Sequence, residues 1–372
     1  SENSACVWNV GAQQRGLRHN EKVNTAMFSP DGKYIVTTSV NNTACIWDVE
    51  NCNPVNRLFE HNAYDYSAIY SPDGKTILTI SSDSSARVWN AKSGEPITGP
   101  LKHDDFLNSA AYSPDGKYVV TASKDSTACV WDAETGRSLT KPLRHEDWVN
   151  SAVFTSDGQF VLTASGHSAY IWDISTGQQV TDALEHNDLV CSAQPSPKGG
   201  YIVTVSWDNT ARVWDSKTGL PVTGPLQHDD FVDLAVFSPD GRFVATASGY
   251  KARIWDVETG VPVTKQMQHD DMINSIVYSP NGKYIVTSSW DETVCIWDVE
   301  SGRTIAEPLK HNEAVLSAFF SPDCKYVVTV AGDNMVRIWP FPPLQELLDK
   351  YNKDSEHDWS LSDEEKEEYS LE

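Results

Sequence analysis

Basic residues are scarce in this chain. Against 52 Asp and Glu it carries 29 Lys and Arg, a formal net charge of −23 over 372 residues. Nucleic-acid binding draws its affinity from clustered Lys and Arg that release counterions from phosphate, so the balance argues against a nucleic-acid partner. It also disfavours an anionic membrane surface and leaves a cationic partner open. No apolar run approaches the roughly 18 residues of a membrane span. Ser1-Glu2-Asn3-Ser4 has neither the basic start nor the apolar stretch of a secretory signal. Cysteine is limited to seven residues, and none forms the C-x-x-C pair of a structural zinc site. Four of them (Cys6, Cys45, Cys129, Cys295) stand two residues before a recurring tryptophan. Equivalent positions on separate units do not come within the ~7 Å that a disulfide tolerates, so these read as small buried apolar groups in a reducing, cytoplasmic setting. The G-x-S-x-G, H-E-x-x-H and G-x-x-x-x-G-K motifs are absent as well. The expectation is a protein that is not an enzyme and holds no cofactor or metal.

What is present is periodicity. Trp8, Trp47, Trp89, Trp131, Trp172, Trp214, Trp255, Trp297 and Trp339 follow one another at intervals of 39, 42, 42, 41, 42, 41, 42 and 42. His19, His61, His103, His145, His186, His228, His269 and His311 keep the same step. Only a tandem array of one supersecondary unit explains this, and it overrides the two-domain expectation that 372 residues would otherwise raise. Within one unit, residues 106–112 are short and apolar, and Ser113-Pro114-Asp115-Gly116 makes a tight turn. Residues 118–122 are β-branched and aromatic, residues 127–131 make a third strand, and residues 139–143 a weaker fourth. Four short antiparallel strands cannot bury their faces alone. Stacking the sheets around a ring solves that problem.

The endings Trp47-Asp48, Trp131-Asp132, Trp172-Asp173, Trp214-Asp215, Trp255-Asp256 and Trp297-Asp298, with the S-P-D-G and S-x-D-x-T turns, resemble the WD-repeat family. The likeness spans residues 1 to about 339 and is similar to bacterial tandem arrays. It implies a hydrogen-bonded chain in each unit: histidine, a Ser/Thr of the second strand, the Asp of the following turn, and tryptophan. His103, Asp125 and Trp131 would form one such chain, and His61, Asp83 and Trp89 another; Asp208 serves the His186 unit. The His145 and His228 units are one residue short and lack the Asp, having Ser165-Gly166-His167-Ser168 and Ser248-Gly249-Tyr250-Lys251, while the first unit carries Asn41. The family's glycine before the histidine is replaced by Lys102, Arg144, Gln227 and similar residues. Pro195 stands where other units place Phe or Tyr, so its unit is expected to be locally irregular.

The fold class expected is therefore all-β: a single closed β-propeller of four-stranded antiparallel blades, eight in number with seven as the alternative. Eight complete His-to-Trp units are present, and residues 13–17 match a fourth strand that the last unit lacks after Trp339. Pairing of the N- and C-terminal segments would then close the ring and remove its edges. Residues 1–339 form this propeller and 340–372 an acidic tail with short helices, in which residues 354–372 carry nine acids against Lys366. Because the chain opens inside a unit, it reads as the C-terminal piece of a longer protein.

Residues that break the repeat point to function. Trp148 falls three residues after its histidine, while Trp207 and Trp290 immediately precede the turn residues Asp208 and Asp291. Both segments open onto one rim, which resembles the family's usual docking face. The column three after each histidine includes Tyr64, Phe106, Trp148, Phe231 and Met272, interleaved with Asp105, Asp147, Asp230 and Asp271. The paired acids recur at one place in each unit, which suits solvated loops better than acid–base chemistry. Large apolar groups rimmed by polar ones mark an interaction site, and Trp, Tyr and Phe dominate hot spots. The competing reading is that they plug the rim of the channel. The expected function is a non-catalytic scaffold or sensor binding a protein or peptide with a cationic segment. The alternatives are an enzyme at the channel mouth and a structural subunit of a larger assembly.

Overall fold

The computed structural model describes residues 15–19, 21–40, 43–60 and 65–341, so Asn41, His61, Tyr64 and the acidic tail beyond Phe341 lie outside the described residues. Among the described residues there is no helix, and none long and apolar enough to cross a membrane. The strands form eight antiparallel sheets, one per repeat. Each is ordered a-b-c-d, as in blade three: a is Leu107–Tyr112, b is Tyr118–Ser123, c is Thr127–Asp132 and d is Leu143–Arg144.

Why strand b lies at the centre follows from its composition. It reads Tyr118-Val-Val-Thr-Ala-Ser in blade three and is buried along nearly its whole length in every blade for which the pattern is described. A strand apolar on both faces needs a sheet on each side, and the stacked blades supply them. Val120, Ala122, Ala128 and Val130 of blade three pack on Val149, Ala152, Phe154 and Val161 of blade four, small residues receiving the large ring. Strands a of successive blades pack closely on one another, whereas strands d lie mainly against their own sheets, so the a strands line the axis and the d strands face outward.

Closure uses the N-terminal segment. Arg15–Arg18 pairs antiparallel with Met335–Pro340, Arg15 opposite Ile338 and Arg18 opposite Met335, and serves as strand d of blade eight. Val328, Val330, Val336 and Ile338 of that blade then share a core with Val23, Phe28, Ile35 and Trp47 of blade one. On the rim of the a–b turns, a Cβ added at Gly32 of blade one would stand 3.5 Å from the ring of Pro322 of blade eight, as one at Gly74 would stand against Pro30 one blade on. With φ of +72°, Gly32 also needs its freedom to make the turn. Eight blades close the ring, and the seven-blade alternative falls away.

The histidine chain ties the outer loops to the core. In blade three the Trp131 indole donates to Thr121 Oγ1 at 2.8 Å, Thr121 Oγ1 lies 2.7 Å from His103 Nε2, and His103 Nδ1 lies 2.9 Å from Asp125 Oδ2. A carboxylate only accepts, so Nδ1 carries the proton and Nε2 accepts from the threonine hydroxyl. Blades five and seven repeat the chain through His186, Thr204, Asp208 and Trp214, and through His269, Thr287, Asp291 and Trp297. The tryptophan–threonine bond persists in blades four and six, where the Asp is missing; the b–c link there is a two-residue hairpin, Ser165 pairing Ser168 and Ser248 pairing Lys251. In blade eight Asp333 is present but turns to Arg337, and His311 Nδ1 donates to the Leu309 carbonyl at 3.1 Å.

Two expectations need correction. Pro195 does not disturb blade five: it ends strand a (Val190–Pro195) opposite Ile202, in the register that Phe154 takes opposite Val161. Strand a has a neighbour in its own sheet on one side only, so a missing N–H donor is tolerated there. The fourth strand is also shorter than residues 139–143. It begins as a bridge from Trp131 to Ser138, breaks, and resumes as Leu143–Arg144. Pro142 carries no N–H, and the Ser138 and Thr140 hydroxyls bond local carbonyls instead, leaving Leu139 exposed.

Candidate functional site

In most of the described blades two segments are sewn together at one end of the ring. The loop that follows the histidine supplies a carbonyl, and the b–c turn supplies an N–H. Lys124 donates to Phe106, Trp207 to Leu189 and Trp290 to Met272, each at 2.9 Å. The serine ending strand b adds a second stitch, from Ser123 to the Asp105 carbonyl, Ser165 to Asp147, Ser248 to Asp230 and Ser289 to Asp271. The structure thus brings Phe106, Trp148, Trp207, Phe231, Met272 and Trp290 to the same rim. Tyr64 lies outside the described residues. Trp148, Trp207 and Trp290 are 54%, 52% and 55% exposed, and Phe106 and Met272 are exposed too, whereas Phe231 is half-buried.

The large side chains group across blade boundaries. Between blades three and four, the Lys124 ammonium stands 5.0 Å from the Trp148 ring and 5.9 Å from Phe106, a cation against two aromatic groups. Between blades five and six, Trp207 and Phe231 lie 6.1 Å apart, tilted by 52°. The Trp207 indole donates to Asp233 Oδ1 at 3.2 Å, and the Cys191 thiol reaches the same oxygen at 3.7 Å. Burial raises the Asp233 carboxyl above its ordinary value, against the lowering effect of those two donors. Beside Phe106 a depression of about 460 Å³ is lined by Ser67, Ile80, Leu107, Asn108 and Lys124.

The rim acids have a local duty as well as a charge. Asp105, Asp147, Asp230 and Asp271 each accept, through Oδ1, the N–H of the next residue: Phe106, Trp148, Phe231 and Met272 respectively. Each carboxylate therefore fixes the backbone that carries an apolar side chain, and all four remain exposed. The position five after the histidine does something else. Asn108 donates to the Val149 carbonyl of the next blade, Asn150 to Val190 and Asn274 to Val315, so this column staples neighbouring blades.

Asp233 and Lys124 were not singled out by sequence reasoning. The signal for Asp233 was there, an acid in a column dominated by Asn. Lys124 carried none, because its contact with Trp148 joins side chains of different blades. Among the described residues no group of three His, Cys, Asp or Glu side chains is arranged to hold a metal ion.

The family model described as WD domain, G-beta repeat matches eight times, over residues 11–48, 52–90, 95–132, 136–173, 177–215, 222–256, 260–298 and 302–340. No curated protein matches the chain. Among solved structures, the computationally designed Ika8 protein superposes with a TM-score of 0.77 at 21% identity, covering 87% of this chain and 98% of that one. At that identity the likeness concerns the fold.

Proposed function

We propose that this chain, which belongs to the WD domain, G-beta repeat family, works in a reducing, cytoplasmic setting as a scaffold or sensor that catalyses nothing and docks a protein or peptide on the Trp148/Trp207/Trp290 rim. WD40 propellers are generally protein-interaction scaffolds and typically non-catalytic. The finer assignment rests on one observation: three indoles, each more than half exposed, share a single rim of the ring. Exposed apolar surface of this kind costs solubility unless something covers it.

The partner's chemistry follows from the surroundings. Asp105, Asp147, Asp230 and Asp271 are exposed among the apolar groups, in a chain of net charge −23. Lys124 already shows how a cation rests against Phe106 and Trp148. The preferred ligand is a segment that alternates Lys or Arg with apolar residues. Complementary charge would speed its association and make binding sensitive to salt.

Asp233 is the observation that favours an enzyme at the channel mouth, being a carboxyl raised by burial. Its Oδ1, however, is already engaged by Trp207 and Cys191, which suits a group that positions Trp207. Affinity capture with the wild type and with the Trp148→Ala/Trp290→Ala double variant tests the docking reading. A buried indole anchor contributes about 2 kcal/mol or more, roughly 30-fold per tryptophan. Partners recovered equally by both proteins would refute the choice of face.

A further inference from the structure

The sixth blade lacks a carboxylate that its own residues are built to receive. The third residue of strand c is an arginine in four blades: Arg87, Arg212, Arg253 and Arg337. In three of them the guanidinium lies against the Asp of the preceding b–c turn. Arg87 is 3.8 Å from Asp83, Arg212 is 3.8 Å from Asp208, and Arg337 forms a two-pronged pair with Asp333. In blade six the turn is Gly249-Tyr250 and the Asp is gone, but Arg253 remains. Its guanidinium makes only a long bond, 3.4 Å, to the Gln227 carbonyl and lies 5.8 Å from the Trp255 ring.

The same deletion removes an acceptor from two further groups. In blades three, five and seven the Asp also receives the N–H of the residue after the histidine (Asp104, Asn187, Asp270) and faces histidine Nδ1. In blade six the equivalent N–H belongs to Asp229, and His228 Nδ1 turns away to the Leu226 carbonyl at 2.9 Å. What is left is a cavity of about 160 Å³ walled by His228, Gly249, Tyr250, Lys251, Arg253 and Gln266. That is about the size of an engineered cavity that holds benzene, so a carboxylate on a short stem fits.

Blade four shows that a missing Asp need not leave such a site. Its turn is equally short, but Tyr170 takes the arginine position, with its ring 5.2 Å from the His145 ring. No cation stands in that position. Blade six alone, among the described blades, combines the short turn with an arginine.

We propose that blade six binds a carboxylate in this cavity, the ligand supplying the group that the turn aspartate supplies elsewhere. Arg253 and Lys251 provide the positive charge. Asp229, 2.8 Å from Lys251, competes for that lysine, and Asp230 also borders the cavity. Burial pushes His228 down to about 4, so the imidazole is neutral and adds no charge at neutral pH. This site takes an anion, unlike the docking of a cationic segment on the indoles, and the two share Asp230.

The test uses the full chain with ring-labelled histidine, titrated with sodium acetate, with acetamide as the uncharged isostere and sodium chloride at matched ionic strength. The expected result is a saturable shift of the His228 ring signals with acetate alone. Arg253→Gln should weaken it at least tenfold. Arg253→Tyr, which copies blade four, should abolish it, and Asp229→Asn should strengthen it. Thermal melts of each variant establish that the ring is intact, and the Asp229→Asn arm needs no loss of a buried group. Two capped tripeptides, one with a central Asp and one with a free C-terminus, then show whether a side chain or a chain end binds better than acetate. Equal shifts with acetamide or chloride, or an acetate response unchanged in both Arg253 variants, would overturn the proposal.

Discussion

Acidification from about pH 7.5 to about pH 5 should remove stability through the repeat histidines before the carboxylates take part. Burial pushes His19, His145, His228 and His311 down to about 4, against roughly 6.5 for an imidazole in the unfolded chain. Between those values the unfolded chain binds protons that the native ring refuses. The contribution is therefore complete above about pH 6.5 and is lost as the pH falls toward about 4. At about pH 5 each histidine costs about 2 kcal/mol relative to neutral pH, rising to roughly 3 kcal/mol at lower pH. Four of them together remove about 8 kcal/mol, comparable with the whole stability of an ordinary domain. Carboxylates held below their ordinary value act lower on the scale: the Ser71 hydroxyl and the Lys75 N–H hold Asp73 at about 2, so its share is lost only below about pH 4. Urea unfolding followed by tryptophan fluorescence at a series of pH values measures the effect. His311→Gln, which keeps an amide beside Thr329, should flatten the dependence by about a quarter. A urea midpoint constant from about pH 7.5 to about pH 5, or an equal slope in the variant, would refute the argument.

Other consequences are smaller in scope. Thr204 is fully buried and joins the Trp214 indole to His186; Thr204→Val takes the partner from the indole N–H and from His186 Nε2, while Nδ1 keeps Asp208, and should cost about 2–5 kcal/mol in chemical unfolding, with Thr204→Ser recovering most of it. Burial raises the Cys129 thiol to about 11 and that of Cys295 to about 12, so mass spectrometry after brief alkylation of the native chain should find both unmodified, and modified once urea unfolds the ring. Removing residues 1–18 bares the outer edge of Met335–Pro340, which Arg15–Arg18 covers in the intact chain, and should give dimers or aggregates in size-exclusion chromatography.

Much of the architecture was legible because a repeat states its unit many times over. The 41–42-residue step, the S-P-D-G turns and the apolar second strand each appear in unit after unit, so a local misreading in one is corrected by the others. The same redundancy showed where to look for function, since Trp148, Trp207 and Trp290 depart from their columns. Pro195 misled because its cost depends on whether a strand has one neighbour or two, which a single unit does not reveal. The role of the asparagine column was not legible, because Asn108 finds its acceptor 41 residues away on the next blade.

By itself, then, the sequence determined the unit, the number of units and the residues that differ among them, because these are properties of order along the chain. The tertiary structure alone decided which neighbours meet: that Lys124 lies on Trp148, that Asp233 holds Trp207, and that Arg253 stands by a cavity where Arg212 has a carboxylate. Side-chain contacts act over a few ångströms, and ring closure brings within that range groups that the chain itself keeps about 20 to 40 residues apart.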